Sequence, residues 1–282
     1  MEVDAYIGPG TVSAMNTPVE ALIEKIRINM ERWRWMPSEL GKRYIMVNIA
    51  GFNAEAYEDG KRTVHMRAIV GKPYHGTPSF SSVITDVIFR PYWHVPSRIA
   101  REQILPALKI KPDFLKENGF QVLQKNDKDI FHIVDMEKID WKQVSAEDFP
   151  YALRQLPGEK NALGYVRFSI QNKWEIFMHG TPDQNLFSNE ARAFSSGCIR
   201  VEDPLQMAYF VMEQNEGYDR QKIENMYNGS DKEASQSPRR VALSEPLKIH
   251  VMYLTAWIDE DGTVQFRDDV YSRDEQLTEA LG

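Results

Sequence analysis

Apolar positions recur along this chain in two rhythms, and the switches between them outline its elements. Val19, Leu22, Ile23, Ile26, Met30 and Trp33 fall at helical spacing. Thr17-Pro18-Val19-Glu20 reads as a capping box with proline at the first helical position, so the pattern predicts a helix running to about Trp35. Pro37 and Gly41 stop it. Residues 44–50 then place Ile45, Val47 and Ile49 on one face, as a half-buried strand does. Asp59-Gly60 tolerates the positive φ of a tight turn and joins residues 54–58 to 63–70 as a hairpin. Residues 82–89 predict a third strand.

From Ser97 the rhythm changes. Ile99, Ile104, Leu105 and Leu108 suggest one helix, Phe114 and Leu115 another, and residues 97–160 read as a helical insertion. Strand patterning resumes at 164–170 and 174–178, on either side of a polar Gln171-Asn172-Lys173 turn, and again at 199–201. A helix is expected over about 203–214 and a mobile, Ser-rich connection over 225–239. A long strand over 247–258 follows, turned by Asp261-Gly262 into a last one at 263–266. No repeat of 20–50 residues is present. Strands dominate and the helices are grouped rather than alternating, which predicts a mainly β or α+β fold.

Composition narrows the function classes. With 34 Lys and Arg against 41 Asp and Glu, the net charge is −7, and no local run builds the clustered basic face that nucleic-acid binding requires. The 282 residues, 42% of them hydrophobic, suffice for one large domain with an insertion or for two modest ones. No stretch approaches the roughly 18 uninterrupted apolar residues of a membrane span, and the first 16 residues show no secretory leader. The single cysteine, Cys198, excludes an internal disulfide and a multi-thiolate zinc site. His75, His94 and His132 have no ligand spacing, and no H-x-x-E-H run suggests a zinc peptidase.

The chemically capable residues concentrate in two segments, Met178-His179-Gly180-Thr181-Pro182 and Phe194-Ser195-Ser196-Gly197-Cys198-Ile199-Arg200. Small residues before Cys198 permit a tight backbone turn, with the amides of Gly197 and Cys198 expected to point at one spot as an oxyanion hole does. His179 ends a predicted strand 19 residues earlier, close enough along the chain to fold back and accept the thiol proton. The competing reading is an inert buried thiol and a histidine satisfying a carbonyl. Three small residues before Cys198 and a cation two residues after it favour the catalytic one.

These segments carry a resemblance. HGT near a strand end followed by SSGCIR resembles the signature of the YkuD-type L,D-transpeptidases, with Ser196 standing where many members have histidine. The segments MVNIAGF, IVGKPYHGTP, RPYWHVPSRIAREQILP, LGYVRF and DQNLF are similar to the YcbB-like branch of that family, so the likeness extends over about residues 18–270. It implies a β-sandwich-like catalytic core with a helical cap inserted at 97–160. It also implies that Tyr6-Ile7-Gly8-Pro9-Gly10-Thr11, within residues 1–16, is the tail of a truncated peptidoglycan-binding module preceding a catalytic domain at 17–282.

The resemblance also implies roles. Cys198 is the nucleophile, His179 the general base that later protonates the leaving amine, and the Gly197 and Cys198 amides hold the oxyanion. Ser196, Arg200 and Trp93 are substrate-binding candidates, although Arg200 reads equally well as a structural ion pair and Trp93, like Trp141 within the insertion, as packing. A backbone carbonyl, which the sequence does not identify, orients the imidazole. No cofactor or metal is implied. The expected reaction is acyl transfer on peptidoglycan stem peptides in the periplasm or cell envelope, by an exported or anchored protein. A thioester forms on a tetrapeptide donor, D-alanine leaves, and a 3→3 crosslink between diaminopimelate residues results. Carbapenems are the inhibitors expected to acylate the thiol. An L,D-carboxypeptidase, another cysteine peptidase of cell-wall peptides and a non-catalytic cell-wall-binding module are the alternatives.

Overall fold

A computed structural model describes residues 7–230 and 237–282. Helices α1 (Pro9–Met15) and α2 (Val19–Arg34) precede the first strand. The expected capping box does not form: α2 starts at a Pro18 cap without a side-chain bond, because the Thr17 hydroxyl donates back to the Ser13 carbonyl at the end of α1. The apolar stripe of α2 is also not its docking face. Val19, Ile23, Ile26, Met30 and Trp33 are exposed, while Ile28, Asn29 and Arg32 are buried. Polar bonding decides the orientation: Asn29 donates to the Thr255 hydroxyl at 2.8 Å, and Arg32 meets the Asp274 carboxylate at 2.6 Å.

Strands β1 (Arg43–Asn48), β2 (Asn53–Glu58), β3 (Lys61–Gly71) and β4 (Phe80–Phe89) follow. The β2–β3 hairpin turns at Asp59 and Gly60 with φ of 47° and 78°, the positive values that dipeptide was expected to supply. An insertion then carries β5 (Trp93–His94), α3 (Ser97–Ile99), α4 (Leu105–Ile110), α5 (Phe114–Glu117), β6 (Phe120–Lys125), β7 (Phe131–Val134) and β8 (Tyr151–Gln155). Its helices stand where the pattern placed them, and they pack with an antiparallel sheet of order β5-β8-β6-β7. Leu105, Leu108, Leu115, Val122, Trp141 and Leu153 form a core for this unit that is separate from the main one.

The chain returns through β9 (Val166–Ile170), β10 (Met178–His179), β11 (Ala193–Ser195) and β12 (Ile199–Val201), then α6 (Pro204–Met212) and α7 (Arg220–Asn228). It ends with β13 (Arg239–Met252), β14 (Ala256–Ile258), β15 (Val264–Phe266) and α8 (Arg273–Leu281). The connection expected over 225–239 is helical to Asn228, and residues 231–236 lie outside the described ones. The long strand expected at 247–258 begins earlier and breaks at 253–255, where Thr255 is drawn into bonds with Asn29 and Asp274.

The main sheet runs β11-β3-β12-β10-β9-β4-β13-β1-β2 and closes on itself through a β2–β3 pairing. The fold is thus mainly β with a helix-bearing insertion. Its sheet wraps round one apolar core in which Ile45, Val47, Phe89, Val166, Phe168 and Ile199 are fully buried. Each contributes about 1.5–3 kcal/mol relative to an exposed position. Among the described residues, no helix is long and apolar enough to cross a membrane.

Candidate active site

Three adjacent strands build the site. β10 pairs parallel with β12, His179 opposite Arg200, and antiparallel with β9, His179 opposite Arg167. Directly paired residues project from the same face of a sheet. Arg167, His179 and Arg200 therefore form one row. Cys198 lies two residues before Arg200, and the Ile199 amide bonds to the Phe177 carbonyl at 3.1 Å, so Phe177 and Cys198 share that face as the next row. The register brings together the thiol and imidazole that the sequence singled out.

Local sequence explains why the backbone arrives there. Asn172 anchors the β9–β10 connection: its amide donates to the carbonyls of Ile170 and Ile176, and its oxygen accepts from the amides of Trp174 and Ile176. These bonds hold residues 172–176 in a turn and shorten the strand expected at 174–178 to Met178–His179. Gly164 lets two backbones touch at the end of β10, since a Cβ there would lie 2.8 Å from Gly180 C and Thr181 N.

The turn carrying Cys198 is held from within. Ser195, 2% exposed, accepts a bond from the Gly197 amide at 3.1 Å and donates to the Cys198 carbonyl at 2.6 Å. Thr77, fully buried, donates to the Gly197 carbonyl at 2.8 Å and accepts from the Gly71 amide at 2.9 Å. The Tyr271 hydroxyl bridges the Gly71 carbonyl and the Thr77 amide. Gly197 has φ of 123°, and an added Cβ would meet Ile176 Cδ1 at 3.0 Å. This arrangement corrects one expectation: the Gly197 N–H is engaged by Ser195 and is not free for an oxyanion. The Cys198 N–H has no such bond among the described residues.

His179 is 4% exposed, and its Nδ1 lies 2.5 Å from the Gly180 carbonyl oxygen. A carbonyl can only accept, so Nδ1 carries the proton and Nε2 presents a lone pair. Gly180 is thus the backbone partner that the sequence left unnamed. Burial lowers the His179 pKa to about 3, with Arg200 and Arg167 adding to the effect and the Gly180 and Leu163 carbonyls opposing it. Burial pushes the Cys198 thiol up, partly offset by the Phe177 backbone bond and the two arginines. At neutral pH the resting pair is a thiol and a neutral imidazole.

The remaining expected residues divide. Ser196 is half-buried at the bend before Gly197. Arg200 touches Asp183 only at 3.4 Å, and its Nε is buried without a partner among the described residues. Trp93, which the sequence offered as a substrate contact or a packing residue, is partly buried against the insertion's apolar cluster, its ring 6.1 Å from Phe120; Trp141 is buried there, against Tyr151. Among the described residues, no three His, Cys, Asp or Glu side chains group so as to hold a metal ion. Sequence reasoning named Ser195 only as a small turn residue, without its two hydrogen bonds, and missed Thr77, Tyr271 and Arg167. Thr77 and Arg167 lie inside quoted family-like segments, but their partners come from distant parts of the chain.

The family model of the YkuD L,D-transpeptidase catalytic domain matches residues 42–225, which span the strands and turn described above. This chain belongs to that family. A protein of Haemophilus influenzae described as a putative L,D-transpeptidase is 30% identical over 256 residues, covering 91% of this chain and 49% of its own length. The chain thus spans about half of that curated relative. Among solved structures, L,D-transpeptidase 3 from Mycobacterium tuberculosis is 12% identical, with a TM-score of 0.34 over 75% of this chain and 61% of that one. An L,D-transpeptidase in complex with imipenem is 13% identical, with a TM-score of 0.32 over 75% and 59%. The YkuD match makes residues 42–225 a catalytic domain of the L,D-transpeptidase family.

Proposed function

We propose that this YkuD domain is a peptidoglycan L,D-transpeptidase in which Cys198 is the nucleophile and His179 the general base. The observation that carries the reading is the shared face of Cys198 and His179, with the imidazole tautomer set by the Gly180 carbonyl. His179 Nε2 takes the thiol proton as Sγ attacks the carbonyl of diaminopimelate, the third residue of a tetrapeptide donor stem. The Cys198 N–H meets the oxyanion. Collapse expels D-alanine, whose amine takes the proton from His179, and leaves a thioester. The side-chain amine of a second stem then attacks and forms a 3→3 crosslink; water in its place gives L,D-carboxypeptidase activity.

The insertion acts as a cap over the cleft and limits access of water to the thioester. Arg98, at the start of the cap, reaches His75 Nε2 at 2.6 Å, and the His75 carbonyl lies 3.8 Å from where a Gly197 Cβ would stand. That contact ties the cap to the loop beside the nucleophile. On this reading the activity belongs to the cell envelope, on the periplasmic side. Arg200 and Ser196 line the donor's path.

Intact-mass spectrometry tests the proposal. Wild type and Cys198→Ala are incubated with a carbapenem and, separately, with a disaccharide tetrapeptide. One adduct that is absent in the variant, together with D-alanine release and a dimeric muropeptide, is the expected result. Folded wild type that gives neither adduct nor D-alanine overturns it.

A further inference from the structure

Arg167 stands out as a partly buried cation without a direct ion pair among the described residues, Asp86 acting on it only at a distance. It is the second residue of β9, and among the described residues its guanidinium has no carboxylate within ion-pair distance. Its Nε is shut off from solvent without a hydrogen bond. The acid nearest in the sheet, Asp86, is already committed to Arg240 at 3.0 Å and to the Ser169 hydroxyl at 2.9 Å. What holds the Arg167 side chain is an aromatic face: the guanidinium lies 4.2 Å from the centre of the Phe177 ring, which in turn lies 5.5 Å from the His179 ring. An arginine confined this way, stacked and partly desolvated with no counter-ion, is costly unless it serves a ligand.

Further basic side chains stand near it. Across His179 in the register stands Arg200, with a second buried and unpartnered Nε. From the cap root, His94 and Arg154 face one another across β5 and β8, and His94 is within electrostatic reach of Arg167. Arg154 spends its hydrogen bonds on the neutral amide of Gln121. A chain with net charge −7 thus sets an arginine on each side of its imidazole, Arg167 without a direct ion pair and Arg200 with only the 3.4 Å contact to Asp183.

We propose that Arg167 is a substrate-binding residue that receives a carboxylate of the peptide donor, working across His179 from Arg200 so that the attacked carbonyl is held over Cys198. The inference rests on the transpeptidase reading and deepens it. Two donor carboxylates flank the scissile bond: that of the diaminopimelate side chain, and that of the departing D-alanine. Guanidinium–carboxylate pairing is common to both, and the experiment separates them.

The test compares kcat/KM for three disaccharide tetrapeptide donors: one with all carboxylates free, one amidated on the diaminopimelate side chain, and one ending in D-alaninamide. Wild type is expected to favour the free donor over one amidated form by about 10- to 100-fold, the worth of a hydrogen bond to a charged group. Arg167→Gln is expected to lose that preference while Cys198 still reacts with the uncharged reagent iodoacetamide. Whichever amidated donor loses its handicap names the carboxylate. Arg167→Lys keeps the charge without the planar fork and is expected to show a weakened preference; it carries the test if the glutamine variant does not fold. Equal losses on all three donors, a preference undiminished in the lysine variant, or no preference in wild type each overturn the proposal. Turnover of none of the donors by wild type refutes the transpeptidase reading itself, and the role of Arg167 with it.

Discussion

The buried imidazole makes acid stability the sharpest physical consequence of this site. His179 titrates near 6.5 when the chain is unfolded and near 3 when it is folded. The folded state therefore binds fewer protons between those values, so stability present above pH 6.5 is lost as the pH falls toward 3. From pH 7 to pH 5 this single group costs about 2 kcal/mol, because about one and a half pH units of the window, each worth about 1.4 kcal/mol, have been crossed. His179→Gln removes the titration and keeps a side-chain N–H for the Gly180 carbonyl. Urea denaturation of both proteins at pH 7 and pH 5 isolates the term, since His94 and His250, also lowered by burial, titrate in both. Wild type is expected to lose about 2 kcal/mol more than the variant over that interval. Equal losses would refute the buried, neutral histidine and with it the account of a thiol and imidazole that stay uncharged at rest.

Two further substitutions probe what holds the site and its frame. Ser195→Ala removes both bonds that lock the turn before Cys198, and should cost about 1–3 kcal/mol in thermal or urea unfolding and slow carbapenem acylation of the thiol. Asp274→Ala strands the buried Arg32 guanidinium and should destabilise the fold by about 3 kcal/mol in urea, with loss of protection from proteolysis in α2.

How far the sequence carried these conclusions depends on the range of the interaction. Alternation of apolar residues in β1, β3 and β9 and helical spacing in α2, α4 and α6 are properties of short windows, and they were legible because side-chain periodicity is local. The Asp59-Gly60 hairpin was legible for the same reason: one dipeptide supplies both positive φ values. Cys198 and His179 drew attention as residue types beside small, turn-forming neighbours. The insertion was legible as helical, whereas β6–β8 were not, because these strands are only 6, 4 and 5 residues long and their order is supplied by pairings as distant as Phe120 with Gln155.

What the sequence determined by itself, then, was which stretches of the main domain are strand or helix, where the Asp59-Gly60 hairpin turns, and which side chains are capable of acyl-transfer chemistry. Only the tertiary structure decided which of them share a face. A strand carries no mark of its register, and a slip of one residue in β9 would turn Arg167 into the core and Phe168 toward His179. The same limit hid the engagement of Gly197 by Ser195, the hold of Thr77 and Tyr271 on the turn, and the rotation of α2 that buries Asn29 and Arg32 instead of its apolar stripe. Apart from the Ser195–Gly197 bond, which lies within one turn, each is settled by hydrogen-bonding and charged groups that lie far from one another in the chain, where satisfying a buried polar atom outweighs local preference.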